Sequence, residues 1–231
     1  MLAPQTVHIW QLSLKQVELK QAQLFGLLSA DEQQRAKRFI FKRDQAHFTI
    51  ARAGLRILLS DYSNCSPELL RFQYSEQGKP SLALAKPIFF NLAHSHDLAM
   101  YAITEGGELG IDIEYQKIDI QVMDIAERYF AYAEIAYLKQ CATEQDRRIA
   151  FFNGWSRKEA FLKAIGMGLG YSLQAIEVAM QTVAPLTCLE MRGRDVTPWD
   201  LYALPVADHY AAAIVLPKAV KNIVLQGEIA I

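Results

Sequence analysis

The chain has 231 residues, a formal net charge of −1 and 52% hydrophobic residues. That is enough to bury a core in one domain or two small ones, and the near-neutral balance excludes a general nucleic-acid binder. No apolar run reaches the roughly 18 residues of a membrane span, and residues 1–5 do not lead from a basic segment into an apolar one, so no signal peptide is expected. Cys65, Cys141 and Cys188 are odd in number and fit no zinc or redox spacing, so they are expected as reduced thiols of a cytoplasmic protein.

Residues 7–12 read as an opening strand. Ser29 and Glu32 form a capping box that starts a helix running to Phe39. Arg35, Lys37, Arg38, Lys42 and Arg43 form a basic cluster, either a solvated helix face or an anion site. In the next helix, residues 45–59, Phe48, Ala51, Leu55 and Leu58 make a buried stripe. Arg52 is a candidate phosphate ligand there, and Arg56 is expected in solvent. A strand at 71–74 meets a Gly-Lys-Pro turn at 78–80. A strand at 88–92 ends in Ala93-His94-Ser95-His96 and returns over 98–103.

Residues 109–114, LGIDIE, alternate apolar and acidic with the period of a strand. Asp112 and Glu114 therefore share one face, either a solvated edge or a pair that needs a hard cation such as magnesium. Residues 124–130 are helical, and Glu134 follows. Residues 155–164, WSRKEAFLKA, are all compatible with a helix, stopped by Gly166 and Gly168. Trp155, Glu159 and Lys163 lie on one face of it, so Glu159 and Lys163 are either an exposed ion pair or part of a site. Beyond Gly170, strands are expected at 176–180, 187–191, 199–204, 210–216 and 223–226, punctuated by proline.

Residues 41–55 align with 155–169, with Arg43 on Arg157, Ala46 on Ala160 and Gly54 on Gly168. A duplicated unit would leave such a trace. The expected fold is α+β, with two similar subdomains, 1–105 and 106–231, related by a pseudo-twofold axis.

GIDIE followed by WSRKEAFLKAIG resembles the paired signature of the 4'-phosphopantetheinyl transferases of the larger, surfactin-synthetase-activator (Sfp) type. The resemblance covers residues 35–170. It implies an enzyme that moves 4'-phosphopantetheine from coenzyme A to a serine of an apo acyl or peptidyl carrier protein, leaving adenosine 3',5'-bisphosphate. It also implies two pseudo-symmetric halves with coenzyme A in the cleft between them. The implied metal ligands for Mg2+, or Mn2+, are Asp112, Glu114 and Glu159. Glu159 is the first candidate base and Glu134 the second, and Lys163 is implied at a phosphate oxygen. Coenzyme A would be held by Arg35, Arg38, Lys42 and Arg43 around the motif KRFIFKRD, by Lys79 of the Gly-Lys-Pro turn, by His94 and Ser95, and by Lys163. Ala93 stands where the family has a serine. The expected partners are the carrier protein and coenzyme A, with no nucleic acid and no membrane, and the protein is expected to be a monomer. Two other readings use the same residues: a different metal-dependent phosphotransfer or hydrolysis enzyme, and a non-catalytic coenzyme A-binding protein.

Overall fold

The structure is a computed structural model and describes residues 2–15, 21–84, 86–168, 171–182, 189–193 and 195–229. Cys188 lies outside these residues, as do parts of the strand expected at 187–191. The first half comprises β1 (Thr6–Ser13), α1 (Gln21–Leu27), α2 (Ala30–Lys37), α3 (Lys42–Ser63), β2 (Phe72–Tyr74), β3 (Pro80–Leu82), β4 (Phe89–Ser95) and β5 (Leu98–Thr104). The second repeats that order with β6 (Gly110–Tyr115), α4 (Val122–Tyr129), α5 (Tyr132–Gln140), α6 (Glu144–Ala164), β7 (Ile176–Val178), β8 (Leu189–Met191), β9 (Trp199–Ala203) and β10 (Tyr210–Pro217). A last strand, β11 (Asn222–Glu228), follows.

The sheets carry the same topology. β1-β5-β4 and β6-β10-β9 each set the half's first strand beside its last, and its last beside the one before, all antiparallel. In each half a long helix covers one sheet face. Ile50, Leu55, Leu58 and Leu59 of α3 pack on Leu12, Phe90, Tyr101 and Ile103, and Phe161 and Leu162 of α6 pack on Leu201, Ala213 and Val215. The opposite sheet faces meet each other: Val7, Ile9, Met100 and Ala102 pack against Ile111, Ile113, Ile214 and Leu216. Ile111 and Ile113 thus turn inward, and the acidic face of β6 turns toward α6. Side chains of β4 stitch the sheets together, since Asn91 Oδ1 accepts from Ile111 N at 2.9 Å and Ser95 Oγ from Tyr115 N at 3.0 Å.

Two expectations need correction. Phe41 is the N-cap of α3, whereas Trp155 lies in the middle of α6, so aligning 41–55 with 155–169 sets the start of one helix on the end of the other. The matched arginine, alanine, glycine and leucine are frequent letters and do not fix a register. The correspondence of the halves becomes visible when the helices are aligned by their starts. The boundary at 105 and 106 also fails for the C-terminus. β11 pairs in parallel with β1, from Thr6↔Asn222 to Gln11↔Glu228, so the last strand belongs to the first half's sheet. Among the described residues, no helix is long and apolar enough to cross a membrane.

Candidate active site

The acidic strand and the long helix of the second half meet at a glycine. A Cβ on Gly110 would stand 2.0 Å from Ala160 O and 2.4 Å from Ala164 N, so a side chain there would push β6 off α6. The close approach brings Asp112 of β6 to Lys163 of α6, with Nζ 2.6 Å from Oδ1. Asp112 is 4% exposed. Its other oxygen, Oδ2, and Oε1 of Glu159 are buried without a hydrogen-bond partner. Glu114 Oε2 accepts from Ser95 Oγ at 2.9 Å.

Three carboxylates against one ammonium leave an excess of buried negative charge. Burial, then the neighbouring Asp112, pushes both Glu114 and Glu159 up to about 7. Burial also raises Asp112, against the pull of Lys163. Among the described residues, no group of three or more His, Cys, Asp or Glu side chains is drawn together as a ready metal cage. The donor set still fits a hard divalent cation. It is all carboxylate, it is short of positive charge, and two of its buried oxygens have no partner. Trp155, one turn before Glu159, stacks on Phe130 and Phe151 and floors the site.

A trough leads to this corner. A cavity of about 610 Å³ is lined by Arg35, Arg38, Phe48, Arg52 and Tyr74. A second, about 210 Å³, shares Arg35, Arg52 and Tyr74 with it and adds Asn91 and His94. A third, also about 210 Å³, shares Asn91 and adds Lys79 and Lys163. The structure thus brings Arg35, Arg38, Arg52, Lys79, His94 and Lys163 along one path between the halves. His94 faces the open trough; its walls desolvate the ring and Lys163 adds repulsion, so its pKa lies below the ordinary value. Beyond Glu114, a cavity of about 220 Å³ has apolar walls that include Ile120, Phe151, Phe152 and Trp155. A separate cavity, about 840 Å³, is lined by Tyr132, Gln174 and Arg192 and contains none of the expected site residues.

Other expected ligands are engaged elsewhere. Lys42 and Arg43 are exposed in the first turn of α3, outside the trough, and Arg43 Nε lies 3.5 Å from Asp44. Arg52 lines the trough but donates to Glu32 Oε1 at 2.5 Å and to the Tyr74 hydroxyl. Arg56, expected in solvent, is fully buried, bonded to Glu32 Oε2 at 2.6 Å and to Pro67 O at 2.7 Å. Ser95 donates its hydroxyl hydrogen to Glu114 at 2.9 Å. Ala93 is buried between the sheets, 5% exposed. Lys79 donates to Glu108 Oε2, Leu109 O and Ala164 O.

Glu134 is held by groups of its own half. It is 2% exposed; Oε1 accepts from Val178 N at 2.9 Å, and Oε2 accepts from Ala131 N at 2.8 Å and pairs with Lys158 Nζ at 2.6 Å. Both oxygens are engaged inside the fold. Lys158 is fully buried between this glutamate and the carbonyls of Leu173 and Ile176. Gly110 and Lys158 were missed in the sequence. The Gly before Ile-Asp-Ile-Glu was a usable signal, whereas nothing local marks Lys158 as buried.

Residues 108–215 match the model of the 4'-phosphopantetheinyl transferase superfamily, and residues 10–105 match that of the 4'-phosphopantetheinyl transferase N-terminal region. The chain is 35% identical over 211 residues to the 4'-phosphopantetheinyl transferase HetI of Nostoc sp., covering 90% of this chain and 86% of the relative. It is 28% identical over 158 residues to the 4'-phosphopantetheinyl transferase of Bacillus subtilis, covering 68% and 69%. To the human L-aminoadipate-semialdehyde dehydrogenase-phosphopantetheinyl transferase it is 28% identical over 208 residues, covering 83% and 67%. With its carboxylates gathered at one end of a cation-lined trough and residues 10–105 and 108–215 matched in this way, the chain belongs to the 4'-phosphopantetheinyl transferase superfamily.

Proposed function

We propose that the protein transfers 4'-phosphopantetheine from coenzyme A to a serine hydroxyl of an apo acyl or peptidyl carrier protein, releasing adenosine 3',5'-bisphosphate. The reading rests on one observation: a trough lined by Arg35, Arg38, Lys79 and His94 runs into the buried set Asp112, Glu114 and Glu159. Arg35, Arg38 and His94 hold the adenosine end and its 3'-phosphate. Lys79 and Lys163 meet the diphosphate as point charges. The serine oxygen bonds to the β-phosphorus, and the bond from that phosphorus to the bridging oxygen breaks, its electron pair leaving with adenosine 3',5'-bisphosphate. The serine proton goes to Glu159. Glu159 keeps one buried oxygen without a hydrogen-bond partner, which supports the role of base.

Asp112, Glu114 and Glu159 would hold Mg2+, or Mn2+, which when bound neutralises charge on the diphosphate. The apolar cavity beyond Glu114 offers walls for the pantetheine arm and the approach of the carrier. Both walls of the trough come from one chain, which supports a monomer, and the free thiols Cys65 and Cys141 support a reducing compartment such as the cytoplasm. Mass spectrometry of an apo carrier protein incubated with enzyme, magnesium and coenzyme A tests the reading. The carrier should gain the mass of one phosphopantetheine arm, and an unchanged carrier mass across acyl and peptidyl carriers sinks it. Light scattering at assay concentration checks the monomer, and an obligate trimer contradicts it.

A further inference from the structure

Lys79 sits on a turn of the first half, but its ammonium is bound by the second. Nζ donates to Leu109 O at 3.0 Å, to Ala164 O at 3.4 Å and to Glu108 Oε2 at 2.5 Å. An ammonium has three donors, and these three acceptors use them all. Two of the three cannot leave. Leu109 is buried and leads into β6, and Ala164 closes α6, whose C-terminal carbonyls form the negative pole of the helix and favour a cation. The third acceptor can leave, because the Glu108 side chain is 54% exposed. Lys79 itself lines the same stretch of trough as Lys163.

We propose that Glu108 is a resident competitor for the ligand phosphate at Lys79. Its carboxylate occupies the one donor of Lys79 that a phosphoryl oxygen can take, so it must swing into solvent when coenzyme A binds. The inference rests on the coenzyme A reading above and deepens it: Glu108 sets the affinity of the trough without touching the reacting atoms. An ordinary surface ion pair of the same exposure would be indifferent to coenzyme A. This one trades one anion for another on a lysine whose other two bonds tie the halves together.

Titration of coenzyme A into wild type, Glu108→Gln, Lys79→Ala and the double variant tests the proposal. An exposed pair of this kind is weak, so Glu108→Gln should bind coenzyme A about two- to fivefold more tightly. Its KM for coenzyme A should fall, and its KM for the carrier protein should stay unchanged. Lys79→Ala should bind about tenfold more weakly, as expected for loss of a charge-assisted contact. The double variant should match Lys79→Ala, because the gain needs the lysine. Wild-type affinity in Glu108→Gln, alongside a weakened Lys79→Ala, overturns the competitor and leaves the phosphate role of Lys79 standing. A gain that survives in the double variant also overturns it, since the effect would then be one of general charge. Wild-type affinity in Lys79→Ala overturns the phosphate role and the competitor with it.

Discussion

The two halves share a buried clamp and differ in what stands beside it. The third residue of α2 is Glu32 and the third of α5 is Glu134. Each is 2% exposed, and each accepts from the backbone N–H just before its helix, Ser29 N or Ala131 N. Counted from the helix starts, Arg56 in α3 and Lys158 in α6 hold the same position. Each is fully buried and pairs with its half's glutamate at 2.6 Å. Each also reaches two carbonyls in the segment after its helix, of Pro67 and Leu70 or of Leu173 and Ile176. A feature present in both halves belongs to the fold. The chemistry belongs where they diverge: Glu159 and Lys163 of α6 stand where α3 has Ile57 and Asp61, and β1 has no counterpart to Asp112 and Glu114.

The largest effect should come from breaking a clamp. Glu32→Ala and Glu134→Ala each strand a buried cation, at a cost of about 3–5 kcal/mol read from denaturant unfolding. The turnover of the remaining folded enzyme should stay within a few-fold of wild type. A Glu134→Ala protein of full stability and no activity would break the equivalence of the halves. Next in size, Glu159→Gln and Lys163→Ala should each lower the rate by at least about two decades, roughly 2.7 kcal/mol. Glu159→Gln should melt nearly as wild type, whereas Lys163→Ala leaves the buried Asp112 unpaired and should lose some stability as well as rate. Asp112→Ala should abolish transfer, and near-normal turnover in it would refute the carboxylate site. Asp61→Ala, at the first-half position of Lys163, should leave the rate unchanged.

His94→Ala tests the other end of the trough. A contact to the 3'-phosphate is worth roughly 1.5–3 kcal/mol, so wild type should prefer coenzyme A over 3'-dephospho-coenzyme A by about one to two decades. The variant should lose that preference, and equal affinity of wild type for the two ligands would refute the assignment. The smallest effect concerns pH. Glu114 and Glu159 titrate at about 7 in the folded chain, against 4.5 for an ordinary glutamate. Their contribution to stability is therefore complete below 4.5 and is lost as pH rises through 7. His8, His47 and His94, all held below their ordinary value, pull the other way. The readout is thus the difference between wild type and Glu159→Gln, which shares those histidines. In metal-free buffer, wild type should gain a few degrees more than the variant between pH 8 and pH 5. Parallel melting curves would show that Glu159 is not desolvated.

Most strands, α3 and the second half of α6 were legible because local period carries them, whereas α1, β3 and residues 144–154 of α6 were not expected. Alternation in residues 109–114 placed Asp112 and Glu114 on one face, and spacing placed Trp155, Glu159 and Lys163 on another, where the structure leaves all three partly exposed. What the sequence hid is long-range. Arg56 and Lys158 read as surface cations because their partner carboxylates lie on other helices, 24 positions away in each case. Nothing in residues 93–96 shows that Glu114 will arrive beside Ser95. Glu134 carried the same motif signal whether it served catalysis or the clamp, and only its twin Glu32 separates the two.

The pairing of β11 with β1 carries a consequence for how the molecule is made. During synthesis β1 waits for β11, roughly two hundred residues later, before this edge is covered. Until then β1 presents an open row of backbone donors and acceptors, the kind of edge on which nascent chains pair wrongly. Once β11 closes it, the second half cannot come loose without dragging a strand out of the first half's sheet. The two halves should therefore unfold in a single cooperative transition, despite their repeated topology.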